Sequence, residues 1–476
     1  MRACKLLCNE NVETYGVRRR DITQATAQAE APERVLFTNK SLTALMLPLI
    51  LEQVLTLTIG MADTVMVAGL GESAISAVSL VDQLNILLLQ VFGSLATGGA
   101  VVAAQYIGRQ DRAGGCDAAR QLYQTTFVIS MVVMAAILSV RRPALSMLYG
   151  QLEPGLMSYA VIYLTITSIS LPFFALYSAG AALFRAMGNS KVSLYISILM
   201  NVINIGGNAL TIFVFHMGVA GAAVATTLSR IAGAAVFLYL ITKPHQELFI
   251  EHILRVRVNM ANVRRILRIG VPNGVENGVF QVGKLVVMRL VSSLGTAAIA
   301  ANAVGNSLAG VACMPGSAAG LAMITVVGQC TGAGAYDQAR RNTMKLMGFA
   351  IAAMALLGGA MMTLRGGMIN MFNLSDRSLG LAWEVITIYL AHTWLTWPFS
   401  FALPNALRGA GDARFTMIVS IGSMMVFRVG FSYLLALAFG MGLNGVWIAM
   451  YIDWIVRSIF FIWRIKGVAW LKQRVL

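Results

Sequence analysis

Four carboxylates that interrupt long apolar stretches are the residues best able to do chemistry in this sequence. Glu52 and Asp63 share the first apolar stretch, Asp82 lies in the second, and Glu276 lies in the seventh. Stretches of this length are typical of membrane-spanning segments, where an ionisable residue costs about 2.5–3.5 kcal/mol on insertion scales. Each carboxylate is therefore a candidate to bind a cation or a cationic substrate, unless a basic side chain neutralises it.

Asp63 is the strongest of these candidates, because no basic residue stands three or four positions before or after it. Glu52 lies eleven residues earlier, on the same helical face and roughly 16 Å away along the axis. Glu52 and Glu276 each follow a proline (Pro48, Pro272) by one turn, where a loosened backbone can admit water. We expect both glutamates to face a substrate cavity, with hydrogen bonds between packed helices as the alternative.

Other polar residues in the apolar stretches have more than one interpretation. Asn204 and Asn208 are one helical turn apart and suit hydrogen bonds between helices. Asp453 and Arg457 are four residues apart, which predicts a local ion pair. Three basic residues could neutralise acids on neighbouring helices: Lys284, Arg289 and Arg428.

Composition shows what kind of protein must position these side chains. Of 476 residues, 58% are hydrophobic and 12% are charged, whereas soluble domains carry about 25% charged residues. The mean hydropathy is +0.73. These values exclude a soluble enzyme, a secreted disulfide-rich protein and a disordered chain. The net charge of +16 lies mostly between the apolar stretches, which indicates contact with membrane lipid rather than nucleic acid.

The apolar stretches predict an all-α membrane protein, because a helix satisfies its own backbone groups in lipid and needs about 20 residues to span it. Twelve segments qualify, at 42–67, 74–106, 121–140, 158–184, 192–215, 218–242, 268–292, 296–331, 343–364, 380–406, 415–438 and 443–465. Most of the 36 Lys and Arg then lie on the side of the N-terminus. We expect a multi-pass protein of the plasma (inner) membrane with both termini in the cytoplasm.

The two halves of the chain repeat each other at an offset of 224 residues. Pro48-x-x-x-Glu52 matches Pro272-x-x-x-Glu276, and Gln105-x-x-Gly108 matches Gln329-x-x-Gly332. Six helices in each half is an even number, so the halves enter the membrane from the same side. We predict two pseudo-symmetric six-helix lobes, with the following boundaries: a basic cytosolic tail at 1–40, the N-lobe at 41–242, a cytoplasmic linker at 243–267, the C-lobe at 268–466 and a cytosolic tail at 467–476.

Several local sequences together resemble the multidrug and toxic compound extrusion (MATE) family over residues 40–470. They are Gly60-Met61-Ala62-Asp63-Thr64-Val65-Met66-Val67 followed by Leu70-Gly71, then Gln105-Tyr106-Ile107-Gly108, Arg185-Ala186-Met187-Gly188-Asn189, Gly221-Ala222-Ala223-Val224-Ala225-Thr226 and Arg408-Gly409-Ala410-Gly411-Asp412. The resemblance implies export of organic cations or other drug-like compounds, driven by Na⁺ or H⁺ entering the cell.

The resemblance also implies roles for individual residues. Asp63 matches the family's acidic cation site in the first helix, where Na⁺ could bind. Asn204, Asn208 and Thr226 match positions that complete this site in one branch of the family, although that branch often has Asp in place of Asn208. The substrate cavity is assigned from the polar pattern instead, to Glu52, Glu276 and Asp82.

Other functions remain as alternatives. A flippase for a lipid-linked sugar or another polyanionic lipid would need basic residues in the cavity, and Lys284, Arg289 and Arg428 are available. An enzyme within the membrane is not predicted, because no HExxH, GxSxG or phosphate-loop motif is present. We expect a small-molecule transporter in contact with membrane lipid, without a nucleic-acid partner or a cofactor other than the coupling ion, and working as a monomer.

The predicted orientation can be tested by cysteine labelling in a variant that lacks its five native cysteines. A cysteine in the 294–296 connection should react with an impermeant reagent from outside the cell. A cysteine in the 109–115 connection should react only from inside. The reverse pattern would contradict both the orientation and the direction of export.

Overall fold

The structure is a computed structural model that describes residues 35–150, 153–251, 255, 257–372, 374–471, 473, 475 and 476. Every regular element within these ranges is helical. We number twelve segments, each under one number even where it is broken: α1 Asn39–Ala68, α2 Glu72–Gly108, α3 Arg112–Tyr149, α4 Pro154–Ile169 with Leu171–Ala186, α5 Ser190–Asn208 with Ala209–Val214, α6 Gly218–Ile241, α7 Met260–Ser293, α8 Thr296–Ala312 with Met314–Gly332, α9 Tyr336–Asn370, α10 Asp376–Trp397 with Pro398–Ala402 and Leu403–Gly409, α11 Ala413–Ser423 with Met424–Gly430, Phe431–Tyr433 and Leu434–Ala438, and α12 Gly442–Lys466.

The helical segments agree with the predicted all-α fold. By length and apolar content, 8 helices in the described part of the chain can cross a membrane, or up to 10 if each of two bent pairs is one span. The bent pairs are α4, bent by 45°, and α8, bent by 48°. Proline follows each break at the second residue of the new helix, as Pro172 and Pro315, and it cannot complete the preceding backbone ladder. The other two segments, α7 and α10, carry more polar residues.

Helix α7 begins before its apolar stretch does, which changes a predicted boundary. Asn259 caps the helix by accepting hydrogen bonds from the backbone N–H groups of Ala261 and Asn262. The first two turns therefore lie within residues 243–267, which the sequence predicts to be a linker. Hydropathy marks where apolar residues begin, whereas the cap marks where the helix begins.

Both ends of the chain are predicted to be cytosolic tails. Most of the predicted tail 1–40 lies outside the described residues, and α1 begins at Asn39. Residues 467–476 are predicted to be a tail, but Trp470 is fully buried and donates a hydrogen bond to the carbonyl of Ile465. Trp470 therefore packs against the helices, whereas residues 467–469 are exposed.

Between two pairs of equivalent glycines, the C-lobe has one residue more than the N-lobe. Gly188 and Gly411 are 223 residues apart, whereas Gly218 and Gly442 are 224 apart. The added residue thus falls in α11, which has a π-helical turn at Met424–Gly430 in addition to the one at Leu434–Ala438. Its counterpart α5 has a single π-helical stretch, at Ala209–Val214. A π-helical turn accommodates an additional residue, so the two lobes keep equivalent helices.

The lobes, α1–α6 and α7–α12, meet where α2 packs on α7 and α8 and where α1 packs on α8. We call one end of these helices the basic end, defined by the connections 109–111, 242–259, 333–335 and 410–412. There Gln105 donates to the carbonyl of Gly409 at 3.1 Å, and Gln329 donates to the carbonyl of Ala186 at 2.7 Å. The two glutamines are equivalent in the repeat, and each binds the residue after an equivalent arginine. The interface is therefore symmetric.

Further hydrogen bonds between the lobes lie toward the same end. Thr325 donates to the carbonyl of Arg185, and Tyr106 donates to Asn262. Asn277 donates to Ser94, and this is the inter-lobe hydrogen bond farthest from the basic end among the described residues. The lobes are joined at the basic end and lack such bonds toward the opposite end of the described helices.

Two glycines permit this close approach. A Cβ atom on Gly108 would overlap the backbone oxygen of Gln329, and a Cβ atom on Gly332 would overlap the backbone oxygen of Gln105. Any larger residue at either position must push the lobes apart, because the contacted atoms belong to helical backbone.

Gly108→Ala should separate the lobes at the basic end, since overpacking costs about 1–3 kcal/mol. Spin labels at Gln110 and Asp337, one in each lobe, should report longer distances by electron spin resonance. Gly348→Ala is the matched control, because a Cβ atom there meets nothing within 4 Å. An unchanged distance distribution in Gly108→Ala would contradict the role of the contact.

Candidate functional site

The structure brings together the four residues assigned to the cation site. Asp63 lies in α1, and its Oδ1 atom accepts a hydrogen bond from Asn208 Nδ2 in α5 at 2.5 Å. The same Nδ2 group also lies 3.5 Å from Asn204 Oδ1. Asn204 in turn donates to the Thr226 hydroxyl in α6 at 3.2 Å. Helix α1 thus joins α5 and α6, which lie more than a hundred residues later in the sequence, in one polar network inside the N-lobe.

One atom of this network has no partner. Asn208 Oδ1 is buried and makes no hydrogen bond. The oxygen and nitrogen of an amide are assigned from the hydrogen-bond network, and the reverse assignment would turn this oxygen toward Asp63. Two oxygens can face each other only with a proton or a cation between them. One carboxylate with several neutral oxygens suits a proton or a monovalent cation such as Na⁺. Within the described ranges no group of three His, Cys, Asp or Glu side chains could hold a metal ion.

Asp82 joins the same interior from α2. Its Oδ1 atom accepts hydrogen bonds from Asn85 Nδ2 at 3.3 Å and from the Tyr163 hydroxyl at 3.2 Å. Its charge acts on Asp63. The structure therefore places Asp82 within the N-lobe beside the cation site. Its assignment to a substrate cavity stays a prediction.

Arg230 is a residue of this region that the sequence reasoning missed. Its charge acts on both Asp63 and Asp82, while its guanidinium donates to the Ser170 hydroxyl at 2.6 Å and lies 5.3 Å from the centre of the Phe174 ring. With both carboxylates ionised, the region has one net negative charge. Arg230 follows Thr226 by four residues, so it lies on the same face of α6, and that spacing could have revealed it.

Glu52 and Glu276 form equivalent ion pairs. Glu52 Oε1 is 3.1 Å from Arg185 Nη1, and Glu276 Oε1 is 2.7 Å from Arg408 Nη2. Both glutamates are buried. The repeated motifs Pro-x-x-x-Glu and Arg-x-x-Gly, more than a hundred residues apart in each lobe, thus meet in space.

The ion pairs have further equivalent partners and lie beside the inter-lobe contacts. Ser193 lies 3.4 Å from Arg185, and Thr416, its counterpart, lies 3.5 Å from Glu276 Oε2. The backbone of Arg185 itself accepts a hydrogen bond from the other lobe. Each glutamate is neutralised by an arginine of its own lobe. A role in substrate binding stays a prediction, and the geometry offers a second role at the interface.

The C-lobe interior carries the opposite charge. Asp453 and Arg457 form the predicted ion pair, with Nε–Oδ1 and Nη2–Oδ2 distances of 3.0 Å each, which confirms that expectation. Lys284 and Arg428 each lie beside the Phe280 ring rather than beside Glu276. The residue equivalent to Asp63 in the repeat is Val287. The acidic site of the N-lobe therefore has no acidic counterpart in the C-lobe.

Comparison with known proteins agrees with these features. A family model described as MatE matches residues 48–210 and again residues 272–434, which together exceed half of the chain. The second match begins and ends 224 residues after the first and so coincides with the repeat. The chain is 25% identical over 459 residues to an uncharacterized transporter, YisQ, of Bacillus subtilis, covering 94% of this chain and 99% of that protein.

Two further relatives have related descriptions. The chain is 28% identical over 451 residues to a probable multidrug resistance protein, NorM, of Thermotoga maritima, covering 93% of this chain and 96% of that protein. It has the fold of a solved multidrug resistance MATE family transporter of the MOP superfamily in an outward-facing conformation, with a TM-score of 0.83, 19% identity, and coverage of 91% and 97% of the two chains. The repeat, the helical fold and the two family matches together establish that this chain belongs to the MatE family of multi-pass membrane transporters.

Proposed function

We propose that the protein exports drug-like or cationic organic compounds and that the inward flow of Na⁺ or H⁺ drives this export. The observation that carries the proposal is the polar network of Asp63, Asn208, Asn204 and Thr226 within the N-lobe. It provides one carboxylate and neutral oxygens where a cation or proton can bind. The relatives described as multidrug resistance proteins support the substrate class.

Export by alternating access is supported by the interface between the lobes. Their hydrogen bonds lie at the basic end, which the excess of basic residues assigns to the cytoplasm of a plasma-membrane protein. The described arrangement thus corresponds to a state closed toward the cytoplasm. Opening toward the cytoplasm requires the inter-lobe hydrogen bonds of Gln105 and Gln329 to break together.

The coupling follows from charge. With Asp63 and Asp82 ionised and Arg230 protonated, the N-lobe interior has one net negative charge, and a bound proton or Na⁺ makes it neutral. The cation thereby alters the relative stability of two packings of the N-lobe, and substrate and cation compete or cooperate through that equilibrium. A membrane potential of 100 mV supplies about 2.3 kcal/mol per charge, enough for about fifty-fold accumulation of a neutral substrate.

The proposed transporter needs neither covalent chemistry nor a second subunit. We propose that it performs no covalent chemistry, uses no cofactor besides the coupling ion and works as a monomer, since the candidate site lies within one lobe of one chain. A flippase for a polyanionic lipid is the second candidate function. The basic residues around Phe280 favour it, because they could bind an anionic headgroup.

Asp63→Asn should abolish gradient-driven efflux, because the amide can neither bind a proton nor balance Na⁺. The measurement is export of a cationic dye from vesicles under separately imposed Na⁺ and pH gradients, which also identifies the coupling ion. Asp376→Asn is the control, since Asp376 is an exposed carboxylate in the first turn of α10. Near wild-type efflux by Asp63→Asn would move the coupling role to another carboxylate, such as Asp82.

Glu52→Gln should lower the stability of the folded protein by about 3 kcal/mol, because it leaves Arg185 without its buried partner. Thermal unfolding in detergent measures this change, and Glu52→Gln combined with Arg185→Gln should recover part of it. Binding of a cationic and of a neutral compound should then fall equally. A selective loss of cation binding at unchanged stability would instead support Glu52 as a substrate ligand.

A further inference from the structure

Three cationic side chains surround one aromatic ring inside the C-lobe. Lys284 Nζ lies 5.1 Å from the centre of the Phe280 ring, and the guanidinium carbons of Arg428 and Arg457 lie 5.4 Å from it. The three come from α7, α11 and α12. We call Phe280, Lys284, Arg428 and Arg457 the Phe280 cluster.

The cluster has more positive charge than the C-lobe neutralises. Arg457 is paired with Asp453 through two hydrogen bonds. Lys284 and Arg428 have no carboxylate within ion-pair distance among the described residues, and Arg428 Nε is buried without a hydrogen-bond partner. Two positive charges therefore remain in a helix bundle that lies at membrane depth.

A purely structural role does not account for this arrangement. The face of an aromatic ring attracts a cation but carries no net charge, so Phe280 cannot neutralise three cations. Charged residues within spans face a water-filled cavity or a partner and mark the paths of ions or substrates. Lys284 follows Phe280 by four residues on α7, so it shares the face of the ring, and its side chain is exposed. The charge of Lys284 is thus accessible.

The surroundings define the kind of ligand. Phe401 meets the Phe280 ring edge to face at 5.9 Å and stacks on Trp397 at 5.1 Å. Arg457 also lies 5.3 Å from the Phe401 ring. A ligand here meets positive charge and aromatic surface together, which suits an acidic group on an apolar body.

We propose that the Phe280 cluster binds the carboxylate, sulfonate or phosphate of an amphipathic organic anion. This proposal rests on the proposed function, since it adds an anion-binding site in the C-lobe to the cation site in the N-lobe. The protein would then accept zwitterionic or anionic substrates in addition to cations. The shared chemistry is an acidic group, whether soluble or on a lipid.

The test uses the full-length protein in detergent and two anionic probes. Isothermal titration with 2-naphthoate represents a soluble anion, and titration with a short-chain phosphatidic acid represents a lipid headgroup. Lys284→Met and Arg428→Met should weaken binding of at least one probe about tenfold or more, because each removes a charge-assisted contact. Lys284→Arg should keep the affinity for both anions. The methionine variants should not weaken the binding of 2-naphthylmethylammonium, a cation of similar size.

Arg377→Met is the matched control, because it removes an exposed positive charge in the first turn of α10 and should bind as the wild type does. Thermal unfolding shows whether each variant is folded, and Lys284→Gln and Arg428→Gln, which also remove the charge and should weaken anion binding equally, replace the methionine variants if these do not fold. Preference for one probe identifies the source of the acidic group. The proposal is overturned if the wild type binds neither anion, or if folded Lys284→Met and Arg428→Met bind as tightly as the wild type.

The outcome is separable from that of the proposed function. Gradient-driven efflux of a cationic dye depends on Asp63, whereas binding of 2-naphthoate depends on the Phe280 cluster. Loss of dye export with charge-dependent anion binding would retain the anion site and reject cation-coupled export. Dye export without charge-dependent anion binding would reject the anion site alone.

Discussion

The rest of the structure depends on the contact between the ends of α2 and α8. Helices in a membrane gain little from hydrophobic attraction to each other, so close backbone packing and hydrogen bonds must hold them. Gly108 and Gly332 allow each helix to approach the backbone of the other. Gln105 and Gln329 then bind carbonyls across the interface. Because these carbonyls directly follow Arg185 and Arg408, the contact also positions the two ion pairs with Glu52 and Glu276.

This contact is the same in both lobes, whereas the interiors of the lobes differ. The glycines, glutamines, glutamates and arginines of the interface recur in both lobes. Asp63, in contrast, has Val287 as its counterpart, and the C-lobe interior contains Lys284, Arg428 and Arg457 instead. One scaffold therefore presents a region with net negative charge in one lobe and a region with net positive charge in the other. The residues that pack the two lobes together are therefore the same in both, whereas the charges inside the lobes differ.

The sequence alone identifies most of the fold but only part of the candidate site. Apolar runs locate the spans, and the repeat locates the lobes, because both depend on local pattern. Asp63, Asn204, Asn208 and Thr226 could be named from the resemblance to a family. The pairing of Glu52 with Arg185 could not, since these residues are 133 positions apart and come together only because α1 packs on α5, which also contacts α4. Arg230 stands out only when it is placed on the helical face that carries Thr226, because the number of basic residues does not show which of them face the interior. Hydropathy does not locate the start of α7, because a capping side chain determines it.

The π-helical turn at Met424–Gly430 has a consequence for the tolerance of α11 to changes in length. An added residue in a regular helix rotates everything after it by about 100° and turns the wrong face toward its neighbours. Here the wider π-helical turn accommodates the added residue without this rotation. Residues beyond Gly430 therefore face the same way as their counterparts in α5. Deleting one residue within this turn would restore a regular helix and preserve the later packing. The same deletion elsewhere in α11 would expose the buried Ser432 and Ala436 and bury residues that now face outward.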